Sequence, residues 1–196
     1  MYTSQPMNLF IQQMVEKFAP DATSSTNITL TLAEHGYLVM EEIVPGATLR
    51  LAHLLYARGS DLLCNPEVFF WLQDNEWIPY AINYTMIGWR GYAQYDPLTN
   101  TLIHLNFEGQ RTLAQEIDAL AHRCRNVGWL RQGRIAELPG NLALWPEPTE
   151  PQPDDETLIY WFNDAGGCEA TDGCWVESDG VCPHGYPSWL VVLGMI

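Results

Sequence analysis

The chain has 196 residues and carries 24 Asp and Glu against nine Lys and Arg, a formal net charge of −15. Gripping a nucleic-acid duplex takes cations that displace counterions from phosphates, so this balance disfavours direct duplex binding. Hydrophobic residues make up 47% of the chain, aromatics 12%, enough to offset the ordering cost of one domain with a small appendage; global disorder is not expected.

The first predicted element is a short amphipathic helix in MNLFIQQMVEKF, with Met7, Phe10, Ile11, Met14, Val15 and Phe18 at helical spacing and Pro20 behind it. TNITLTL and YLVMEEIV, joined by AEHG, read as a β-hairpin. After Pro45-Gly46, ATLRLAHLLYAR places Leu49, Ala52, His53 and Tyr56 at helical spacing, which predicts a second helix closed by Gly59. EVFFWLQ, WIPYAINYT, GYAQY and TLIHLNF then read as three or four antiparallel strands with short connections. The clearest periodicity is TLAQEIDALAHRCRNVG, a helix with Leu113, Ile117, Leu120, Ala121, Cys124 and Val127 on one stripe and Gly128 at its end.

From Trp145 the composition changes. WPEPTEPQPDDE has prolines at 146, 148, 151 and 153 with acids between them, the mark of a stiff extended connector. Beyond it come a strand-like LIYWF, a stretch rich in Cys and Gly, and WLVVLGMI. The expected organisation is a main α+β domain over 1–138, an antiparallel sheet of three to five strands packed by two or three helices. A Pro-rich acidic linker over 139–156 and a small Cys/Gly-rich C-terminal module over 157–196 complete it. A unit of that size buries too little surface to stand alone and needs a metal, a disulfide or a neighbouring surface.

The segments GSDLLCNPEVFFWLQDNEWIPYAINYTMIGWRGYAQY and LAQEIDALAHRCRNVGWLRQGR carry a Gly-x-Asp turn at Gly59 and Asp61, a Pro-Glu pair at Pro66 and Glu67, Trp77 with Pro79, and Asn126 followed by Gln132 and Gly133. In these features the chain resembles an uncharacterised domain family of bacterial plasmids, phages and integrative elements, over the span from Arg50 to Arg134. Asn65 stands where that pattern has Asp. The resemblance implies an α+β fold and a mobile-element setting, and brings no activity with it.

Cys168, Cys174, Cys182 and His184 form a Cys-x5-Cys-x7-Cys-x-His pattern, a complete set of four N and S donors for tetrahedral zinc. Free or packed thiols and a disulfide are the competing arrangements: the odd total of five Cys forbids complete pairing, and Cys168 or Cys174 also suits a small buried hydrophobe. A set that uses four protein ligands points to a structural ion rather than a catalytic one. Asp164, Asp172 and Asp179 lie in turns that suggest calcium, but without the EF-hand pattern. Cys124, on the helix stripe, reads as core. Arg123, Arg125, Arg131 and Arg134 offer a phosphate or partner contact, or simply neutralise acidic surroundings.

No stretch reaches the ~18 apolar residues of a membrane span, and the N-terminus lacks the features of a secretory signal, so a cytoplasmic protein without a membrane partner is expected. Two functional readings follow. The first is a non-enzymatic acidic accessory protein that binds a basic protein partner, without direct nucleic-acid contact, as an inhibitor imitating nucleic-acid charge. The second is a small enzyme with Asp61, Glu67 and His53 as acid/base groups in an aromatic-lined cleft between the sheet and the Leu113–Val127 helix.

Overall fold

The computed structural model describes residues 1–20, 26–56, 62–85, 87–139, 145–163 and 166–196. In chain order its elements are α1 (Gln5–Phe18), β1 (Asn27–Leu32), β2 (Gly36–Val44), β3 (Thr48–Tyr56), β4 (Leu62–Gln73), β5 (Glu76–Tyr84), β6 (Gly88–Gly91), β7 (Gln94–Asp96), β8 (Thr101–Ile103), α2 (Phe107–Val127), α3 (Trp129–Gln132), β9 (Arg134–Ile135), α4 (Asp155–Asn163), β10 (Cys168–Glu169), β11 (Trp175–Val176) and α5 (Trp189–Val192). The chain forms two compact units, one of Met1–Asn83 with Arg90–Pro139, the other of Tyr84–Trp89 with Gly140–Ile196.

The first unit is α+β. Its sheet runs β6-β5-β4-β3-β2-β1-β9, seven strands where three to five were expected, with β7 and β8 as a separate antiparallel pair. One of the added strands is β3, Thr48–Tyr56, which lies in the segment expected to be a helix. Its Leu49, Leu51, Ala52 and Leu54 are all buried, and β2 and β4 flank it in antiparallel register. A strand buried on both faces reads as a nearly continuous apolar run, and such a run satisfies helical spacing as readily as alternation.

Cross-strand register sorts the sheet's two faces. Met40, Leu51, Val68 and Ile82 form one row across β2 to β5, and Leu38 pairs with His53 on the same side. The helices pack on this face: the Trp129 ring of α3 meets His53 edge-on at 5.7 Å. α1 and α2 seal it with Met7, Phe10, Ile11, Met14, Leu113, Ile117, Leu120 and Ala121, each about 1.5–3 kcal/mol of burial for the larger side chains. The opposite face carries the rows Glu41–Arg50–Phe69–Ala81 and Val39–Ala52–Glu67–Asn83.

Helix ends follow local chemistry. Ser4 caps α1 by accepting the Met7 N–H, Asn106 caps α2 by accepting the Gly109 N–H, and Gly128 ends α2 in the left-handed region at φ 95°. Because Asn106 nucleates it, α2 starts at Phe107, so TLIHLNF is a strand only as far as Ile103.

The second unit has a core of Leu158, Trp161, Cys168, Trp189, Leu190 and Leu193, with Trp89 and Met195 packed against it. LIYWF lies in α4, a helix rather than a strand. Asp154 accepts the Thr157 N–H with its side chain, an N-terminal cap that decides between two readings five apolar residues leave open. The Pro-rich segment is attached to this unit: the Thr149 and Glu150 N–H groups both donate to the Thr171 carbonyl, at 3.0 and 3.2 Å. Among the described residues no helix is long and apolar enough to cross a membrane.

Candidate metal centre

Two tight turns of the second unit carry the chemistry. β10 and β11 pair antiparallel, Cys168 with Val176 and Glu169 with Trp175. Between them Ala170 N–H donates to the Cys174 carbonyl and Gly173 N–H to the Ala170 carbonyl. Gly173 takes φ 81°, which suits glycine. Asp172 Oδ1 accepts the Cys174 N–H at 3.2 Å, an Asx-type turn that points the second carboxylate oxygen away from the backbone.

The second turn is Cys182–Pro183–His184–Gly185. Gly185 N–H donates to the Cys182 carbonyl at 2.9 Å, and Cys182 N–H to the Tyr186 carbonyl at 2.8 Å. The two turns are held side by side by the Ala170–Ser188 bridge and by Thr171 N–H donating to the Pro187 carbonyl. Backbone pairing thus places residues ten and twelve positions apart at one point.

That point gathers one ligand atom each from Asp172, Cys174, Cys182 and His184, all within 4.8 Å of one another. Asp172 Oδ2 is 3.3 Å from Cys174 Sγ, 3.2 Å from Cys182 Sγ and 2.9 Å from His184 Nδ1. His184 Nδ1 is 3.4 Å from Cys174 Sγ and 3.8 Å from Cys182 Sγ. A tetrahedral ion with bonds of about 2.0–2.3 Å has ligand-to-ligand edges of about 3.3–3.8 Å, so these separations fit a metal with small adjustments. The cluster could hold a metal ion.

Burial raises the Asp172 carboxyl, but hydrogen bonds from Cys182, the Cys174 backbone, His184 and the Cys174 thiol together outweigh it and bring it down to about 2. The bond to that carboxylate, with burial and the negative charge of Asp172 added, pushes Cys174 up to about 11. In the metal-free protein Cys174 therefore keeps its proton, and a bound cation would displace it.

Of the four residues expected from spacing, Cys174, Cys182 and His184 converge, and Asp172 stands fourth among them. Cys168 lies elsewhere: its side chain is fully buried in the apolar core, with Sγ 3.9 Å from the Ser178 carbonyl. The cause is strand alternation, which sends Cys168 and Ala170 inward and leaves the turn to present Asp172 and Cys174. Calcium is no better served, since the cluster includes two thiols; Asp179 is outside it and Asp164 lies outside the described residues. An Asp-Gly-Cys triplet, with its propensity for an Asx turn, was the available sequence signal for Asp172.

Among the described residues, the acid/base candidates Glu67 and His53 are not brought together. Asp61 lies outside the described residues, and Glu67 and His53 occupy opposite faces of the sheet. His53 Nε2 donates to the His35 carbonyl at 2.9 Å. Burial lowers its pKa, against the His35 and Asn65 backbone bonds that favour the charged ring. Glu67 is buried between Arg50 at 3.3 Å and Asn83 at 3.3 Å, and Arg50 also pairs with Glu41. Burial raises the Glu67 carboxyl, with Arg50 and Asn83 pulling the other way. Spacing along the chain does not reveal this network, because register alone brings the polar residues of four strands, β2 to β5, into line.

A groove of about 850 Å³ runs along α1 and the β4–β5 hairpin, lined in part by Leu9, Val15, Glu16, Trp77, His122 and Arg125. It contains neither Glu67 nor His53. Cys124 is buried on α2, and burial pushes its thiol up to about 12, as befits a core residue. In the Arg block, Arg125 donates to the Pro6 carbonyl at 3.3 Å and so ties α2 to α1.

Comparison of the chain with protein-family models, curated proteins and solved structures finds no match.

Proposed function

We propose that the second unit is a zinc-binding module in which the ion is structural, and that the protein is a non-enzymatic accessory factor acting through protein–protein contact. The observation that carries the metal reading is the convergence of Asp172, Cys174, Cys182 and His184 from two turns with near-tetrahedral edges. Thiolate and imidazole favour zinc over the hard cations, and four protein donors leave no open position for a substrate. An ion there would join the two turns of a unit whose apolar core is small. Metal analysis of purified protein tests this reading. About one zinc per chain, lost in Cys182→Ser and held more weakly in Asp172→Asn, is expected; folded protein free of metal overturns it.

The accessory-factor reading rests on charge. Residues 84–89 and 140–196 contain ten Asp and Glu and no Lys or Arg, a field that steers toward basic proteins and repels phosphate. With the mobile-element setting that the sequence resemblance implies, this supports an inhibitor that imitates nucleic-acid charge toward a basic host protein. Competition between this chain and DNA for such a protein at low salt is the expected result.

A further inference from the structure

α4 is apolar on more sides than its fold uses. Leu158 and Trp161 face the core of the second unit. Ile159, Tyr160 and Phe162 project elsewhere, 57%, 63% and 51% exposed. A helix apolar all round belongs in an interior, and one that exposes its second apolar side marks a contact surface. Trp175, 61% exposed, stands edge-on to Trp161 on the core side of α4 at 6.2 Å and is a neighbouring reporter. Asp154, Asp155 and Glu156 are exposed at the N-terminal end of the same helix. Asp155 lies between Ile159 and Phe162 on the helical projection, since i+4 and i+7 fall to either side of it.

We propose that this outer side of α4 docks a basic amphipathic segment of another protein. The apolar side chains are the anchors, and the acids around them select the partner's charge. Exposed Leu- or Ile-sized anchors at helical spacing are what a helix-in-groove or helix-on-helix contact reads. No Lys or Arg in this unit opposes a cationic partner, whereas an acidic one meets ten like charges. A second copy of the chain would bring the same negative field to the contact, and an anionic membrane would be repelled in the same way. The proposal rests on the protein-binding part of the function given above and is independent of its metal part.

The test is a titration of the full chain with a synthetic amphipathic peptide of leucine and lysine at helical spacing, followed by Trp fluorescence, with metal content measured on the same samples. A leucine/glutamate peptide, a lysine peptide without leucine and zwitterionic vesicles serve as comparisons. Binding of the leucine/lysine peptide at least about tenfold tighter than either comparison peptide is expected, with a loss of about tenfold or more in Ile159→Asp/Phe162→Asp, the size of two lost apolar anchors. Asp155→Asn/Glu156→Gln, which leaves the apolar surface in place, should weaken binding and flatten its salt dependence. Equal binding by the Ile159/Phe162 variant, equal binding of the lysine-only or leucine/glutamate peptide, vesicle binding, or self-association that buries the patch would each overturn the proposal. A chain that holds zinc yet ignores the peptide would remove the docking surface alone; one that binds the peptide without metal would remove the metal reading alone.

Discussion

Asp172 Oδ2 and His184 Nδ1 meet at 2.9 Å across twelve residues of chain, held by the backbone pairing of two turns rather than by a helix or a long strand. The proposed metal centre therefore depends on Asp172 as much as on either cysteine. Asp172→Asn keeps the shape but loses the anionic donor, and should lower zinc affinity by one to two orders of magnitude or more, roughly the scale seen when a metal site loses a supporting group. Cys168→Ser should keep its zinc while costing about 1–3 kcal/mol, because a hydroxyl then sits in an apolar core. Metal analysis and chemical denaturation of the two variants distinguish the roles.

Chelation should unfold the second unit selectively. An ion that binds only the folded state at about a thousandfold above its dissociation constant adds about 4 kcal/mol. Removing it is expected to shift the emission of Trp161, Trp175 and Trp189 to the red and to lower that unit's melting transition, with recovery when zinc is restored. A chain whose fluorescence and melting do not change on chelation would contradict a structural ion.

Arg50 and Glu67 are both buried, at 6% exposure each, so truncating Arg50 takes the neighbouring cation from a buried carboxylate. Arg50→Met should cost about 3–5 kcal/mol, whereas Arg50→Met/Glu67→Met should cost clearly less than the sum of the single changes. Urea titrations of the four proteins measure the coupling. Additivity would mean that the pair is not energetically joined.

His53 gives the first unit a pH dependence with a definite sign. Its folded pKa is lowered by burial, so the unfolded chain binds the proton more readily. Stability is complete above about pH 6.5, the unfolded value, and is lost as the pH falls from there through the lowered folded value. Denaturation midpoints measured across that window should decline for the parent and decline less for His53→Gln.

Local signals carried part of the architecture. AEHG was legible as a hairpin connection and Gly128 as a stop, because each acts through bonds to residues within four positions, whereas the caps Ser4 and Asn106 escape that reading, Asn106 falling within a segment that reads as a strand. β3 could not be read, since burial on both faces erases the alternation that marks a strand. α4 was misread for a related reason: LIYWF suits either geometry until the Asp154 cap is weighed.

The sequence by itself determined the donor types available to the metal centre, the acidity of its surroundings and the class of the fold, since composition and short-range spacing are enough for these. Only the tertiary structure decided that Asp172 and not Cys168 joins Cys174, Cys182 and His184, and that Glu67 faces away from His53. Both follow from strand register, in which a shift of one residue reverses the face of every side chain, and register is set by pairings between strands rather than by the residues along one of them.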